Sequence, residues 1–512
     1  LDAILASGLI SRPARRKRDI AAQDVVMPRS LLFLALTLMA TACNQRADTG
    51  PVVVSAIGGR PSYPDLSKRA PDAAQRLLID ATAQGLVRFD ATGQVEPGLA
   101  ERWIVIDQGR TYIFRLREAA WSDGGKVTAA EVAAILKRAI APDSKNPLKP
   151  FLSAIDDVAV MTDAVIEVRL SRPRPDLLKL FAQPELAVLR LKPLGGSGPF
   201  RIASSAGAGV LLRPAPDLGR SPDDETSEPG PEQDVQLIGE NASRAVLRFV
   251  ARLSDYVAGG TVDDWPLIGK AGVAPANVRL DPAAGLFGLA VVKREGFLAS
   301  QAGRTAVAEA IDRPALISTF TNDWGQPVER LLPDKLDSAA APALPAWSSL
   351  PAANRLIAAK QQVTIYRAAN PGPIVLRIAL PSGPGGNLLW GQIASRLITI
   401  GLQPVRVGPG DDADLRLIDA VAPYDSARWY LGTACLACSD DARTAIEAAR
   451  DAPTLAERAA HITEADAAMA ADVAFIPIAT PLRWSLVSLR LRQWQGNPRG
   501  WHPLNRLRND TN

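Results

Sequence analysis

Two histidines and three cysteines are all that 512 residues contain. His461 lies in an alanine-rich stretch and His502 in a Pro/Gly-rich tail, so neither sits beside a nucleophile motif, and a catalytic triad needs nucleophile, base and orienting group in contact. The G-x-S-x-G and S-x-x-K patterns are absent too, which points away from a hydrolase. Metal ligation needs more partners than this set offers, so no metal is expected. No apolar run reaches the ~20 residues that cross a bilayer as a helix. The excess of one charge over the other is also small, with 58 Lys and Arg against 54 Asp and Glu. Residues 1–42 carry six Lys and Arg against three Asp, or +3 of the formal +4, which leaves +1 for all that follows. That balance gives no electrostatic footprint for nucleic acid. The full sequence, 47% hydrophobic and 22% charged, has an ordinary globular composition. The chain is long enough for two or three lobes, because single cores stop growing near ~250–300 residues.

The longest apolar run, Leu31 to Ala42, leads straight into Cys43. Preceded by Arg29 and ending in the small pair Thr41-Ala42, it reads as the h-region of an export signal and resembles the lipobox of bacterial lipoproteins, with Ala40 where that motif usually has Leu. The resemblance implies cleavage before Cys43, a lipid on its thiol, and a chain held outside the cytoplasm by a membrane anchor. Residues 1–42 are then leader and signal peptide, with Met27 as the expected start. The upstream cluster Arg15-Arg16-Lys17-Arg18 lacks the hydrophobic residues that should follow a twin-arginine signal.

Elements follow in alternation. Residues 52–57 read as a strand and 72–83 as a helix. Hairpin strands follow at 103–106 and 111–116, around the turn Asp107-Gln108-Gly109. Thr128 and Glu131 form a capping box that starts a helix ending near 141, before Pro142. Residues 165–170 alternate as a strand that Arg172-Pro173-Arg174-Pro175 ends, and 176–182 form a short helix. The run Gly195-Gly196-Ser197-Gly198-Pro199 reads as a flexible crossover, because neither Lys-Ser/Thr nor a capped helix follows to make it a phosphate cradle. Residues 221–234 read as an acidic loop without the spacing of a calcium loop, and 245–250 as a strand. Residues 304–320 form a helix pair with Pro314 at a first helical position, and 337–351 a surface connection. A β-α-β unit spans 374–407, a strand lies at 413–418, and two helices fall between 440 and 471. The chain closes with strands at 475–479 and 484–491.

Several of these stretches carry a resemblance. The order QGLVRFD, ATGQVEPGLAERW, DQGRTYIFRLREAAWSDGGKVTAAEV, then GGSGPFR and AIDRPAL, is similar to the substrate-binding proteins of peptide/nickel-type ABC importers (solute-binding family 5). The resemblance implies an α/β, two-lobe periplasmic-binding-protein-like (Venus-flytrap) fold with mixed β-sheets and an extra subdomain in the first half. Lobe I is expected at 44–75, 195–280 and 482–512, the subdomain at 76–194 and lobe II at 281–481. It also implies a monomer that takes a small solute, such as a peptide, between its lobes and hands it to ABC permease subunits. Neither cofactor nor enzymatic activity is expected. A sensor or chaperone module uncoupled from transport is the alternative, and a hydrolase a more distant one.

By the same resemblance, the cleft is lined after the 413–418 strand. The peptide binders place a Trp-x-x-Asp before the equivalent of Tyr424, and that Asp pairs with the peptide ammonium; here Ala420 and Pro423 hold those places. Asp425 or Asp419 can substitute as counter-ion, and Tyr424 or Trp429 can stack on a ligand. Cys435 and Cys438, left over after Cys43, read as a disulfide pinning a loop in an oxidising compartment. A C-x-x-C redox centre is the sharper alternative, and lacks a visible thioredoxin-like surround.

Overall fold

Three β-sheets set the architecture, and a computed structural model of the chain describes residues 50–216, 230–334 and 336–508. A seven-stranded sheet runs in the order Phe200–Ala206, Gly209–Pro214, Val235–Glu240, Val52–Ile57, Tyr256–Gly260, Trp484–Val487, Val278–Leu280. Its centre is parallel, with Val52–Ile57 between Val235–Glu240 and Tyr256–Gly260, and its flanks are antiparallel. A five-stranded sheet holds Gln403–Val407, Val375–Ala379, Leu415–Val421, Gly285–Val291 and Phe475–Ala479 in that order. A four-stranded antiparallel meander, Ala100–Ile106, Thr111–Leu116, Val165–Leu170 and Ile155–Thr162, is inserted between the first strand of the large sheet and its return. The fold is thus mixed α/β, with separate sheets for two lobes and for a further body in the first half.

Among the described residues the chain passes between the two large sheets twice, at 281–284 and 480–483. The two passes are tied where Asp281 N–H donates to Arg483 C=O at 3.0 Å. Trp484, 1% exposed, closes the base of the second pass and donates from its indole to Thr261 C=O at 2.8 Å. Gly260 lies so close under that indole that a Cβ there would meet the ring at 2.2 Å. A lobe-to-lobe cap reinforces this region. The helix Pro384–Thr399 begins at Gly383, which has no side chain to cap it. Asp263, from the loop after Tyr256–Gly260, supplies the missing acceptor, taking Gly386 N–H at 2.9 Å on its carboxylate and Gly385 N–H at 2.7 Å on its carbonyl. Orphan N–H groups at a helix start need such acceptors.

Local signals explain most elements. The capping box is present as Thr128 Oγ1 accepting from Glu131 N–H at 3.3 Å and the Glu131 carboxylate accepting from Thr128 N–H at 3.2 Å, and the helix spans Ala129–Ile140. Its apolar face, Val132, Ala133 and Leu136, shares one apolar core with Tyr112, Phe114 and Ile166 of the meander.

Five readings of local structure need correction, and one expected domain boundary falls within a helix. Residues 245–250 are not a strand but part of the helix Ala242–Val250, capped by Asn241. Ala242, Ala245, Val246 and Phe249 are buried at helical spacing, so the period of 3.6 overrides the local β-propensity. The strand in that region is Val235–Glu240. The Gly195–Gly198 stretch is no flexible crossover: it is buried, and Cβ atoms at Gly196 and Gly198 would meet the backbone of Thr82 and Ala83 at 2.4 to 2.7 Å. Residues 337–351 are more than a surface connection, since Trp347 is 2% exposed beneath the guanidiniums of Arg313 and Arg355, at 4.4 and 5.0 Å from its ring. Pro314 takes the second position of Arg313–Phe320, after the Asp312 cap. The last strand ends at Val487, not 491, since Ser488 C=O turns back to accept from Leu491 N–H. The expected division at 75/76 falls inside the helix Ala73–Thr82, whose Leu77, Leu78 and Ala81 pack on the seven-stranded sheet. Met27, Cys43 and the 221–229 part of the acidic loop lie outside the described residues.

Candidate functional site

The strand Leu415–Val421 ends where the inserted body meets the five-stranded lobe, and residues 422–426 carry the chain across to the helix Ala427–Ala434. Ser426, the N-cap residue, makes no capping bond of its own. Asp337 does so instead, accepting from Ala427 N–H at 2.7 Å, from Ser426 Oγ at 3.3 Å and from Arg458 Nε at 3.0 Å. Arg458, 4% exposed, also donates to Ala449 C=O, so this corner is held rigid from beneath.

Above it, side chains of the inserted body and the C-terminal tail grip residues 422–425. Gln183 Nε2 donates to Pro423 C=O at 2.5 Å, and Arg499 Nη1 to Ala422 C=O at 3.0 Å. Asp425 accepts from Lys179, on the short helix Leu177–Phe181, and from Arg499. Burial alone would raise the Asp425 carboxyl; the hydrogen bonds and charges of Lys179 and Arg499 outweigh it and hold the group below its ordinary range. Tyr424 is 6% exposed, edge-on to Phe151 at 5.6 Å, and burial pushes its phenol up to about 12. Trp429 is 5% exposed and packs edge-on to Tyr430 at 5.0 Å. Both rings therefore belong to an apolar core that continues from the meander through Phe181 into this lobe.

The lip is rich in guanidinium groups. Arg174 donates to Arg450 C=O at 2.6 Å and Arg428 to Pro150 C=O at 3.2 Å, each across the seam. Arg172 pairs with Asp451 at 3.2 Å. Burial, and then the charges of Arg458, Arg172 and Arg428, push Arg174 down to about 9. Asp176 beside them is raised by burial to about 6.

Asp419 does not join this group. It lies on Leu415–Val421 facing the second pass between lobes, where Arg483 Nη1 donates to it at 2.7 Å; burial nevertheless raises its carboxyl. Cys435 and Cys438 are disulfide-bonded just past the helix Ala427–Ala434. His461 is exposed beside Glu464, whereas His502 is buried with Nε2 3.1 Å from Asp281. Among the described residues no group of His, Cys, Asp and Glu could hold a metal ion, and no helix is long and apolar enough to cross a membrane. Sequence reasoning missed Lys179, Gln183, Arg174 and Arg499. Arg174 stood in view within Arg-Pro-Arg-Pro, read only as a strand terminator, and Arg499 in the Asn-Pro-Arg-Gly tail; nothing local in the sequence shows that both meet residues 422–450.

Residues 94–362 match the profile of the bacterial extracellular solute-binding proteins, family 5 middle region. The chain is similar to the probable deoxycholate-binding periplasmic protein YgiS of Escherichia coli K12, 32% identical over 144 residues, or 25% of this chain and 27% of that one. It is also similar to the periplasmic oligopeptide-binding protein OppA of Salmonella typhimurium LT2, 33% identical over 122 residues, or 20% of this chain and 22% of that one. These matches span about a quarter of the length of those relatives. In fold the likeness is nearly complete: the crystal structure of Haemophilus influenzae OppA in complex with RPPGFSPFR superposes with a TM-score of 0.74 and 18% identity, over 90% of this chain and 99% of that one. The two separate sheets, the inserted meander and the profile match over more than half the sequence agree: this chain belongs to the bacterial extracellular solute-binding proteins of family 5, which bind solutes and are not enzymes.

Proposed function

We propose that this protein captures a small solute between its two lobes outside the cytoplasm and delivers it to the permease of an ABC importer, tethered by a lipid on Cys43. The observation that carries the reading is the contrast between two narrow passes and a mouth that no backbone ladder crosses among the described residues, closed by polar pairs over a shared apolar core. Such a seam opens without breaking a backbone ladder, and a ligand that bridges it shifts the population toward the closed form. Opening would release Asp425 and Tyr424 toward the solute, while Trp429 shapes the wall behind them and Asp419 sets the base of the cleft. Since relatives are named for oligopeptides and for deoxycholate, the solute is a peptide or another small molecule of comparable size.

Ala420 and Pro423 leave no carboxylate where the peptide binders hold an ammonium, and Asp425 is already matched by two cations. The reading therefore favours a solute that does not rely on a free amine at that point. Mass spectrometry of small molecules released from the purified protein tests it. Recovery of a stoichiometric compound that rebinds, and loses affinity in Asp425→Ala, is expected; a protein that carries and rebinds none of the released compounds contradicts it. Incorporation of labelled palmitate into the wild type and its loss in Cys43→Ala test the tether.

A further inference from the structure

A cavity of about 570 Å³ opens at the seam between the first lobe and the inserted body, and it shares no lining residue with the mouth described above. That size falls in the range of small-molecule pockets, which favour seams between domains. Its walls come from the loop at residues 65–68, from the helix Ala129–Ile140, and from residues 185–192. Leu66, Leu136, Leu186, Leu189 and Leu191 supply an apolar interior. Leu189 also belongs to a small core beneath the cavity with Ile79, Ala83 and Ala187, so this wall is backed by packed side chains.

The polar groups around this interior are unequal. Lys68 and Arg138 share the single carboxylate of Asp65. Arg190 lies over the Trp121 ring at 4.7 Å and pairs outward with Asp123. Lys192 is exposed and makes no ion pair among the described residues. One acceptor is left over at the other extreme: Glu185 lines the cavity, is 8% exposed, pairs Oε1 with Arg76 at 3.2 Å, and keeps Oε2 buried without a hydrogen-bond partner. A buried acceptor without a donor carries a desolvation cost, which a ligand hydroxyl would remove once the Glu185 side chain turns Oε2 toward the cavity.

We propose that this cavity is a second binding site, for an amphipathic acid that carries a hydroxyl: its anionic head meets Lys192 and the Lys68/Arg138 pair, its apolar body lies on the leucine walls, and its hydroxyl donates to Glu185. The site is independent of the interlobe cleft and does not rest on the transport reading.

The test uses the full chain, with 12-hydroxydodecanoate and dodecanoate as probes below their micellar concentrations, read by titration calorimetry and by hydrogen exchange. One equivalent of 12-hydroxydodecanoate is expected to bind, more tightly than dodecanoate, with protection of residues 129–140 and 185–192. Lys192→Glu, at an exposed position, is expected to weaken it about fivefold through the reversed charge. Ala139→Phe, which fills the cavity from the helix, is expected to weaken it about tenfold or more by overpacking. Absence of binding, several equivalents adsorbed, or protection confined to residues 415–434 overturns the proposal. Equal affinity for the two acids overturns the role of Glu185. If Ala139→Phe does not fold, Lys192→Glu decides, and an affinity equal to wild type in that variant overturns the site.

Discussion

Removing the Asp425 carboxylate should open the mouth of the solute-free protein. Asp425 joins three parts of the chain: its own lobe, Lys179 of the inserted body and Arg499 of the tail. Its side chain is 45% exposed and that of Lys179 25%, so this half of the cluster is worth only the ~0.2–1 kcal/mol of a solvent-screened pair. Arg499 differs, with a side chain only 4% exposed and an Nε already lacking a partner. Stripping a carboxylate from a fully buried guanidinium costs ~3–5 kcal/mol. Solvent at Asp425 reduces that figure, and the sum for Asp425→Ala comes to about 1–3 kcal/mol, a shift of about 5- to 150-fold in the open-to-closed ratio. Two dyes on cysteines placed at the exposed positions Lys145 and Glu447, in a Cys43→Ser background, report that ratio by single-molecule energy transfer. Lys179→Met should give a smaller shift than Asp425→Ala, because it leaves Arg499 paired. The pH dependence carries the sign of a depressed carboxyl: the latch is whole above the ordinary Asp value of ~3.9 and is lost as pH falls below it. An Asp425→Ala distribution identical to wild type at pH 7, or a wild-type latch released between pH 5 and 7, would refute the reasoning.

Asp263→Ala removes the cap that one lobe lends to the helix Pro384–Thr399. It should cost ~1 kcal/mol and speed amide exchange at Gly386 about fivefold, whereas Asp263→Asn should stay close to wild type. Gly260→Ala drives a methyl into the Trp484 ring and should lower stability by ~1–3 kcal/mol in a denaturant titration, relieved in part by adding Trp484→Leu; an additive double variant would speak against the contact. Glu309 is buried with Oε2 lacking a partner, and burial raises its carboxyl to about 7. Its contribution is whole below the ordinary Glu value of ~4.3 and is lost as pH rises toward 7, so Glu309→Gln should flatten the fall of melting temperature over that window; an unchanged slope would place the titration elsewhere.

Local chemistry was legible wherever a residue's partner lies within a turn or a neighbouring strand. Thr128 and Glu131 announce a helix start, Asp107-Gln108-Gly109 a hairpin, and the 374–407 segment a parallel unit that the structure holds as Val375–Ala379, Pro384–Thr399 and Gln403–Val407. The family signature brought the two-lobe arrangement within reach, which no local pattern could. Long-range matters stayed hidden. Asp263 caps a helix more than a hundred positions away, and Lys179 and Arg499 meet Asp425 from the first half of the chain and from its C-terminal tail. The 245–250 stretch misled because six residues cannot distinguish the periods of strand and helix until Asn241 and Ala242 are included. Tyr424 and Trp429, expected as ligand walls from the family resemblance, both lie in the core behind the closed mouth.

The most direct test of the central claim is the radius of gyration of the purified protein by small-angle X-ray scattering, recorded first after its bound solute has been stripped by partial unfolding and refolding, and again with that solute restored. Closure of a hinged cleft predicts a smaller radius and a loss of the widest interatomic distances on adding the solute; an identical profile at saturating solute would contradict it.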